Sequence, residues 1–223
     1  GTFFVSQQFP NIEQDDGWKD SLKWLSANTP KDSKIFNWWD QGHWITFVAE
    51  RAVSTDNRNY ILKANSDLAL FLLSSSESEA DSIVKEYGAD YIVIGEDILG
   101  KMGSLGLYAY NTTNFSDPRI AQYLSVALDC QTATDSVSGS TSVQCGANQM
   151  SEQAYSDLPT KRLSEPNQVL QGSVRVFIYR NDAKTKLFIL NKAANDTMLA
   201  RLFLDIESLP NYEKTYSSGE MFV

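Results

Sequence analysis

The residues best suited to chemistry form a short cluster of two tryptophans, an aspartate and a glycine. Trp38, Trp39, Asp40 and Gly42 follow directly after a predicted strand at residues 34–37. Two indole rings can line a pocket that excludes water and can donate hydrogen bonds through their N–H groups. An ionised carboxylate accepts a hydrogen bond from a hydroxyl. Glycine lets another stretch of backbone approach closely. The cluster therefore predicts a pocket for a small hydroxyl side chain on an extended peptide.

The elements around this cluster are predicted from apolar spacing and from turn residues. Helices are expected from residue 16 through 25, with a stop at Thr29-Pro30, and at residues 78–87 and 194–203; strands are expected at 34–37, 51–54, 91–94, 174–180 and 186–190. Ligands of α/β cores lie beyond the carboxyl ends of parallel strands. We therefore expect residues 38–40, 56–57 and 96–97 to converge on one edge of a sheet.

The fold class expected is α+β or mixed α/β, with a helix-rich core, a short buried sheet and a β-rich, Ser/Thr-rich insertion. Residues 1–111 are predicted to form the core part that carries the Trp-Trp-Asp-x-Gly motif. Residues 112–192 are predicted to form a polar insertion or peripheral part, and residues 193–223 a C-terminal helix that returns to the core. A chain of 223 residues is long enough to bury a sizeable core.

Composition and charge exclude several classes of protein. The net charge of -9 argues against a broad nucleic-acid surface or an anionic-membrane patch. The single histidine, His43, excludes His-rich metal sites and is expected to be structural, and the two cysteines exclude four-cysteine metal sites. No stretch approaches the ~20 apolar residues of a membrane span. Because Gly1 is not preceded by Met or a signal segment, we expect a piece of a longer protein.

Cys130 and Cys145 flank a polar, Ser/Thr-rich stretch. A disulfide is favoured because a polar loop offers a free thiol nothing to pack against, and two unrelated buried thiols are the alternative. An oxidised pair would place the domain outside the cytoplasm.

The signature Trp38-Trp39-Asp40-Gln41-Gly42 resembles that of the oligosaccharyltransferase catalytic subunit, which transfers a lipid-linked glycan to Asn in Asn-x-Ser/Thr. Residues 18–44, Asp56-Asn57, the strand at 91–94 and the late Leu-x-Arg-Leu-Phe segment also resemble this family in order. The chain is similar to the C-terminal globular domain of the archaeal, single-subunit type of this enzyme. Gln41 replaces a common Tyr, so no role is transferred to it.

The resemblance implies that Trp38, Trp39 and Asp40 grip the Ser or Thr hydroxyl at the +2 position of the acceptor. A second family motif has Asp, two residues, Lys, three residues, then Ile or Met. In this chain three residues separate Asp97 from Lys101, and both spacings keep the two side chains on one helix face. Lys101 is thus a further candidate contact, and Asp97 a weaker one. Met102 or Leu105 would touch the Thr methyl.

The resemblance also implies the partners of the domain. No catalytic or metal-binding residue is expected in this segment, which alone should be inactive. Mg²⁺ or Mn²⁺, the catalytic carboxylates and the lipid-linked oligosaccharide are expected with a preceding multi-pass membrane domain of the same chain. The acceptor polypeptide would bind on the extracytoplasmic face, and no nucleic acid is expected.

Two other functions stay open. A secreted carbohydrate-binding or adhesion module would use Trp38, Trp39 and Trp44 to stack on sugars, and a noncatalytic interaction domain would lack its membrane carboxylates. Three Asn-x-Ser/Thr sequons, beginning at Asn111, Asn114 and Asn195, are about as many as chance predicts. They are candidate self-modification sites.

Overall fold

The structure is a computed structural model that describes residues 16–58, 62–135, 139–151, 153–154, 163–167, 172–180, 185–204, 209–218 and 221–222. Its strands, in chain order, are β1 (Lys34–Asn37), β2 (Ala52–Val53), β3 (Tyr91–Gly95), β4 (Ser125–Thr134), β5 (Thr141–Cys145), β6 (Asn148–Ser151), β7 (Leu163–Asn167), β8 (Gly172–Arg180), β9 (Thr185–Asn191), β10 (Ser217–Ser218) and β11 (Met221–Phe222). Its helices are α1 (Asp16–Asn28), α2 (Gly42–Trp44), α3 (Leu62–Leu73), α4 (Glu77–Tyr87), α5 (Met102–Ala109), α6 (Pro118–Ala121), α7 (Lys192–Asn195) and α8 (Met198–Phe203). Residues 1–15 of the predicted core part lie outside the described residues.

The first sheet carries the motif-bearing strands in its parallel part. Its order is β10-β11-β3-β1-β2. Strand β1 pairs in parallel with β2 on one side and with β3 on the other, whereas β11 joins β3 antiparallel. The carboxyl ends of β1, β2 and β3 therefore lie at one edge of the sheet, as the sequence predicts.

The second sheet is antiparallel throughout, in the order β6-β5-β4-β9-β8-β7. Strands β8 and β9 pair from Val174 opposite Asn191 to Arg180 opposite Thr185, which confirms the predicted pairing. Cys130 and Cys145 lie opposite each other on β4 and β5 and form a disulfide. The two sheets with their helices confirm the mixed α/β fold class, while the domain boundaries at residues 112 and 193 stay a prediction.

The main core packs helices against both sheets. Phe36 of β1, Phe71 of α3, Phe188 of β9 and Phe203 of α8 are all at most 2% exposed in this cluster. A smaller cluster between α1 and the other side of the first sheet contains Leu22, Leu25 and Ile35, among others. The sheet that carries the motif is thus packed on both faces.

Local sequence signals explain most helix ends. Ser76 caps α4 by accepting a hydrogen bond from the backbone N–H of Glu79, and Gly88 ends α4 with φ of 56°. The helix predicted at 194–203 is instead two helices, because Thr197 breaks the run and caps α8 through Ala200 N–H. The strand predicted at 51–54 is shorter in the structure and consists of β2 alone. The sequence pattern does not predict α3, because its apolar residues lie on several sides of the helix.

Candidate functional site

The signature residues form a tight turn that leads away from β1. Trp38 continues the extended backbone, Trp39–Gln41 form a 3-10 turn, and α2 follows. The helix then widens to a π-helical turn over Ile45–Ala49, which ends at Glu50 in the left-handed conformation with φ of 55°. The turn places the Asp40 side chain just beyond the carboxyl end of β1.

Gly42 lies against the loop that follows β2. A Cβ atom at position 42 would come within 2.2 Å of the carbonyl oxygen of Thr55 and 2.7 Å of Asp56 Cβ. Such distances are far inside van der Waals contact, so only glycine permits this approach. The close backbone contact expected at Gly42 is therefore present, and it joins the signature to the Asp56 loop.

Buried polar side chains strengthen the same junction. The amide nitrogen of Asn37 donates to the carbonyl oxygen of Trp38 at 2.8 Å and to that of Thr55 at 3.0 Å. The Thr55 hydroxyl in turn donates to the side-chain oxygen of Asn65 on α3. Because Asn37, Thr55 and Asn65 are all buried, these bonds hold the end of β1 in register with the neighbouring loop.

Arg51 binds the C-terminal end of the π-helical turn over Ile45–Ala49. Its guanidinium is buried and reaches the end of α1 as well as the turn over Ile45–Ala49. It donates to the Thr29 hydroxyl and to the carbonyl oxygens of Ser26, Thr29, Ala49 and Glu50, over distances of 2.7 to 3.2 Å. The planar fork of donors suits this arrangement of carbonyl groups, so Arg51 fixes where the turn ends.

Lys101 joins the signature to the segment after β3. Its ammonium nitrogen lies 2.8 Å from Asp40 Oδ2 and 2.5 Å from Asp97 Oδ2. Residues Glu96–Lys101 form 3-10 turns and α5 begins at Met102, so Asp97 and Lys101 lie on one side of a helical segment as predicted. The three side chains carry a net charge of -1.

The ionisation of this cluster reflects burial and pairing. Burial raises the pKa of Asp40, and the hydrogen bond and charge of Lys101 offset this only in part. Burial acts to lower the pKa of Lys101, but its hydrogen bonds to Asp40 and Asp97 outweigh burial and raise it. Both pKa values rise, but this favours the charged form of Lys101, which interacts with two carboxylates, and disfavours that of Asp40, which interacts with one cation and the like charge of Asp97. Burial thus dominates at Asp40.

Three side-chain atoms of the turn over Trp39–Gln41 are buried without a hydrogen-bond partner among the described residues: Trp39 Nε1, Asp40 Oδ1 and Gln41 Oε1. Trp39 Nε1 is a donor and Asp40 Oδ1 an acceptor, and they belong to adjacent residues. A buried polar atom without a partner costs free energy, so the pair indicates a place for a polar ligand.

The apolar candidates lie deeper than the ion pair. Trp38 is 3% exposed and packs edge-on against Tyr108, with ring centroids 5.2 Å apart. Met102 and Leu105 belong to the same core cluster, whereas Trp39 is only partly buried against it. Their proposed contact with a Thr methyl stays a prediction.

Asp56 has a different partner. Its carboxylate accepts from the backbone N–H of Arg58 at 2.9 Å and from the Arg58 guanidinium. These hydrogen bonds hold the pKa of Asp56 below its usual range. The Asp56 loop therefore packs on the signature, while its charge is paired within the loop.

Two properties of the described part of the chain bear on metals and membranes. No group of three or more His, Cys, Asp or Glu side chains there could hold a metal ion. Around Asp40 and Asp97 the position between the carboxylates is taken by Lys101, so these residues do not fit a divalent cation. No described helix is both long and apolar enough to cross a bilayer.

Sequence reasoning missed three residues that shape the site. Tyr108 supports Trp38 from a position 70 residues further along the chain, and no local pattern indicates that contact. The sequence pattern identifies Asn37 only as the end of a strand and Arg51 only as part of one. For Asn37, the available signal was a polar residue at the end of an apolar strand. For Arg51, it was an arginine between two helix ends.

The geometry defines a mixed α/β domain with an ion-pair cluster of Asp40, Asp97 and Lys101 at the carboxyl edge of its parallel strands. The known proteins that resemble this domain are named as glycosyltransferases. Residues 30–99 match the family described as the AglB core domain. This match covers β1, the signature and β3, which are the elements that build the site.

Sequence relatives agree with the family match. The chain is 31% identical over 100 residues to the dolichyl-phosphooligosaccharide-protein glycotransferase 2 of Archaeoglobus fulgidus, a match that covers 40% of this chain and 16% of the relative. It is 50% identical over 54 residues to the Methanocaldococcus jannaschii glycotransferase, covering 24% of this chain and 5% of the relative. The chain thus spans a small part of the length of the relatives it matches.

Solved structures share the fold. The archaeal oligosaccharyltransferase AglB from Archaeoglobus fulgidus, solved with an inhibitory peptide and a dolichol-phosphate, aligns with a TM-score of 0.55 at 18% identity. That alignment covers 91% of this chain and 23% of AglB. The C-terminal domain of C. jejuni pglb aligns with a TM-score of 0.52 at 11% identity, covering 92% of this chain and 97% of that domain.

Residues 30–99 therefore match the AglB core-like domain, and these comparisons confirm the resemblance to oligosaccharyltransferases that the signature indicates.

Proposed function

We propose that this chain is the acceptor-recognition domain of an oligosaccharyltransferase, and that it grips the +2 Ser or Thr hydroxyl of an Asn-x-Ser/Thr acceptor. The single observation that carries this proposal is the pair of partnerless atoms, Asp40 Oδ1 and Trp39 Nε1, beside the Lys101 ion pair. A hydroxyl is one donor and two acceptors in a single group. It would donate to Asp40 Oδ1 and accept from Trp39 Nε1, which satisfies both atoms at once.

Lys101 would have two roles in this site. In the free domain its ammonium favours the ionised form of Asp40, the stronger hydrogen-bond acceptor, and so opposes the effect of burial on the Asp40 pKa. Its side chain is also 37% exposed, more than the 29% of Asp40, so it covers the solvent side of the carboxylate. Movement of the flexible lysine would open the site to the acceptor. Asp97 would hold the displaced ammonium nearby.

This arrangement explains why the hydroxyl would be required and the methyl only preferred. A site with buried partners for a hydroxyl rejects analogues that lack it by up to roughly 10⁴–10⁵. Burial of one extra methyl contributes ~0.8 kcal/mol, about a fourfold preference for Thr over Ser. The partly buried Trp39, with Met102 or Leu105 behind it, would receive that methyl.

The chemical step would take place outside this segment. Activating a carboxamide and stabilising a departing lipid phosphate calls for carboxylates and a divalent metal, and Asp40 and Asp97 are engaged by Lys101 instead. We expect Mg²⁺ or Mn²⁺, the lipid-linked oligosaccharide and the catalytic carboxylates in a membrane domain of the same protein. The segment would then lie on the extracytoplasmic face, be inactive alone and bind acceptor polypeptides.

The test uses the full-length parent enzyme in membranes and two acceptor peptides, Asn-x-Thr and its isostere Asn-x-Val. We expect Asp40→Ala to lower glycan transfer to the Thr peptide about 10- to 100-fold, the value of a hydrogen bond to a charged group. The Thr-over-Val preference should fall in parallel, because the hydroxyl loses its acceptor.

Asp32→Ala is the matched control, since this carboxylate is exposed on the turn before β1. Both variants would be checked for unchanged tryptophan fluorescence. Normal transfer by a folded Asp40→Ala enzyme would overturn the assignment of the pocket. A loss of transfer without any change in the Thr-over-Val preference would place Asp40 in another role.

The alternative, a secreted carbohydrate-binding or adhesion module, has less support from the geometry. Sugar stacking needs open aromatic faces, but Trp38 is 3% exposed. Trp44 is 39% exposed, with its ring packed edge-to-face against Trp18 at 5.4 Å. Binding of free glycans by the purified domain would favour this alternative.

A further inference from the structure

The three Asn-x-Ser/Thr sequons occupy very different environments in the fold. Asn195 is 3% exposed, and Thr197 at its +2 position is 0% exposed. The Thr197 hydroxyl donates to the carbonyl oxygen of Ala194 and accepts from Ala200 N–H, which caps α8. A residue whose hydroxyl is used in a buried helix cap cannot present that hydroxyl to an enzyme. The third sequon is therefore closed in the folded chain.

The other two sequons lie together on the surface, in the loop between α5 and α6. Asn111, Thr113, Asn114 and Ser116 are all exposed. Asn111 has a left-handed backbone with φ of 47°, a conformation common for Asn at a helix end. Within the described residues, neither its side-chain amide nor the Thr113 hydroxyl makes a hydrogen bond. Both groups that a sequon must present are thus accessible.

The first of these sequons is the better acceptor. Asn111 has Thr113 at +2, whereas Asn114 has Ser116, which lacks the methyl group. The carboxamide oxygen of Asn114 is moreover engaged by Ser116 N–H at 3.0 Å, and its own backbone N–H donates to the Thr112 hydroxyl at 3.2 Å. Extending the second sequon would break both bonds. A large glycan on one Asn would also block the other, three residues away.

We propose that Asn111 is an N-glycan attachment site, modified by another copy of the enzyme to which this chain belongs. The proposal rests on the function proposed above, which supplies the donor, a lipid-linked oligosaccharide. The Asn111 amide nitrogen would form a bond with the anomeric carbon of the glycan. The bond between that carbon and the phosphate oxygen of the lipid would break, and the phosphate would leave with the electron pair. The amide nitrogen would give up one proton.

Modification occurs between copies because the fold separates the sequon from its own pocket. Helix α5 has 8 residues and so is about 12 Å long. Its first turn lies beside Lys101, and Asn111 follows its last turn. Gly106 within α5 packs against Ile120 of α6, where a Cβ atom would come within 2.7 Å of Cγ1, so the helix and the loop end are held together. Thr113 therefore cannot contact Asp40 of its own chain while α5 stays folded.

The test is mass spectrometry of the full-length protein purified from its own host. A tagged Asp40→Ala copy is expressed beside the active untagged enzyme, and also in cells that lack the active enzyme. We expect glycan on Asn111 of the tagged copy in the first case and none in the second. Thr113→Ala in the tagged copy should abolish this glycan, whereas Thr112→Ala, at the unrestricted middle position, should retain it.

A reporter protein with one exposed sequon is followed in the same cells. If the reporter is glycosylated while Asn111 is not, this inference is wrong and the proposed function is unaffected. If the Asp40→Ala copy alone glycosylates the reporter as fully as the active enzyme does, the proposed function fails instead. Glycan on Asn195 in place of Asn111 would also overturn the inference, since it would show that the folded surface does not select the site.

Discussion

Lys101 and Asp40 are 61 residues apart in the chain, yet the ammonium of one lies 2.8 Å from the carboxylate of the other. The contact exists because β1 and β3 are parallel neighbours whose carboxyl ends release their following turns at the same edge. Asp97 binds the same ammonium at 2.5 Å. Two separate sequence motifs therefore form one charged cluster.

Removal of the Lys101 ammonium should weaken the recognition of the acceptor. In Lys101→Ala, the buried Asp40 loses the cation that favours its ionised form, so its pKa should rise further. We expect glycan transfer by the full-length enzyme to fall about 10- to 100-fold at pH 7, given the strength of charge-assisted hydrogen bonds. Lys85→Ala on the exposed face of α4 should transfer normally; an equal loss there would refute a specific role.

Neutralising Asp40 should change the pH dependence of stability. Because burial raises its pKa from 3.8, the folded chain binds this proton more tightly than the unfolded chain. Stability from this group is complete below the unfolded pKa and is lost as pH rises through the folded pKa. Asp40→Asn does not titrate, so its unfolding free energy relative to the parent should increase from pH 3 to pH 7, measured by urea denaturation.

In the matched control, the unfolding free energy relative to the parent should change with pH in the opposite direction. Hydrogen bonds to Arg119 lower the pKa of Asp117 to about 2, so the ionised form is favoured in the fold. The unfolding free energy of Asp117→Asn relative to the parent should therefore decrease over the same pH interval. Solvent screening at the exposed Arg119, whose side chain is 56% exposed, keeps this change small. A decrease for Asp40→Asn as well would contradict the account of burial at Asp40.

A methyl group at position 42 should disrupt the junction with the Asp56 loop. The new Cβ would meet backbone, the Thr55 carbonyl oxygen at 2.2 Å, which cannot move aside as a side chain can. Gly42→Ala should lower the unfolding free energy by about 1–3 kcal/mol, as overpacking does. Gly100→Ala is the control, because no atom lies within 4 Å of its Cβ position. Equal stabilities of the two variants would refute the close approach.

Arg51→Lys should destabilise the chain although it keeps the charge. A lysine ammonium has three donor hydrogens at one point and cannot reproduce the fork that contacts Thr29, Ser26 and the end of the helical turn. The loss of two such bonds costs about 3 kcal/mol or more. Thermal unfolding of this variant would be compared with Arg119→Lys, an exposed arginine. A similar small shift for both would show that the network contributes little.

Reduction of the disulfide should loosen the second sheet and leave the site in place. Cys130 and Cys145 are 15 residues apart, and a loop of that length is stabilised by about 3 kcal/mol when closed. In the double variant Cys130→Ser/Cys145→Ser, amide hydrogen exchange should accelerate in β4 and β5 and stay slow in β1 and β3. Faster exchange in β1 would show that the two sheets unfold as one unit.

The fold was predicted where a segment carries its own signal. Helix α4 has its Ser76 cap and Gly88 stop, and β8 has an alternating pattern, so each could be assigned from local residues. Helix α3 was missed because seven of its residues are buried on several sides, which removes the one-sided apolar stripe. The strands β10 and β11 were missed because two-residue strands have no pattern; they are defined by their antiparallel pairing with each other and by the pairing of β11 with β3.

The sequence by itself determined the chemistry available at the site and the family. The signature Trp38-Trp39-Asp40-Gln41-Gly42 contains a hydrogen-bond donor, an acceptor and a glycine that lets another backbone segment approach closely. These properties belong to the residues themselves. Only the tertiary structure decided which groups pair and which stay free. The Lys101–Asp40 contact, the packing of Trp38 against Tyr108, and the partnerless Asp40 Oδ1 depend on segments brought together from distant parts of the chain. Such contacts follow from strand order and packing, which local residue patterns do not specify.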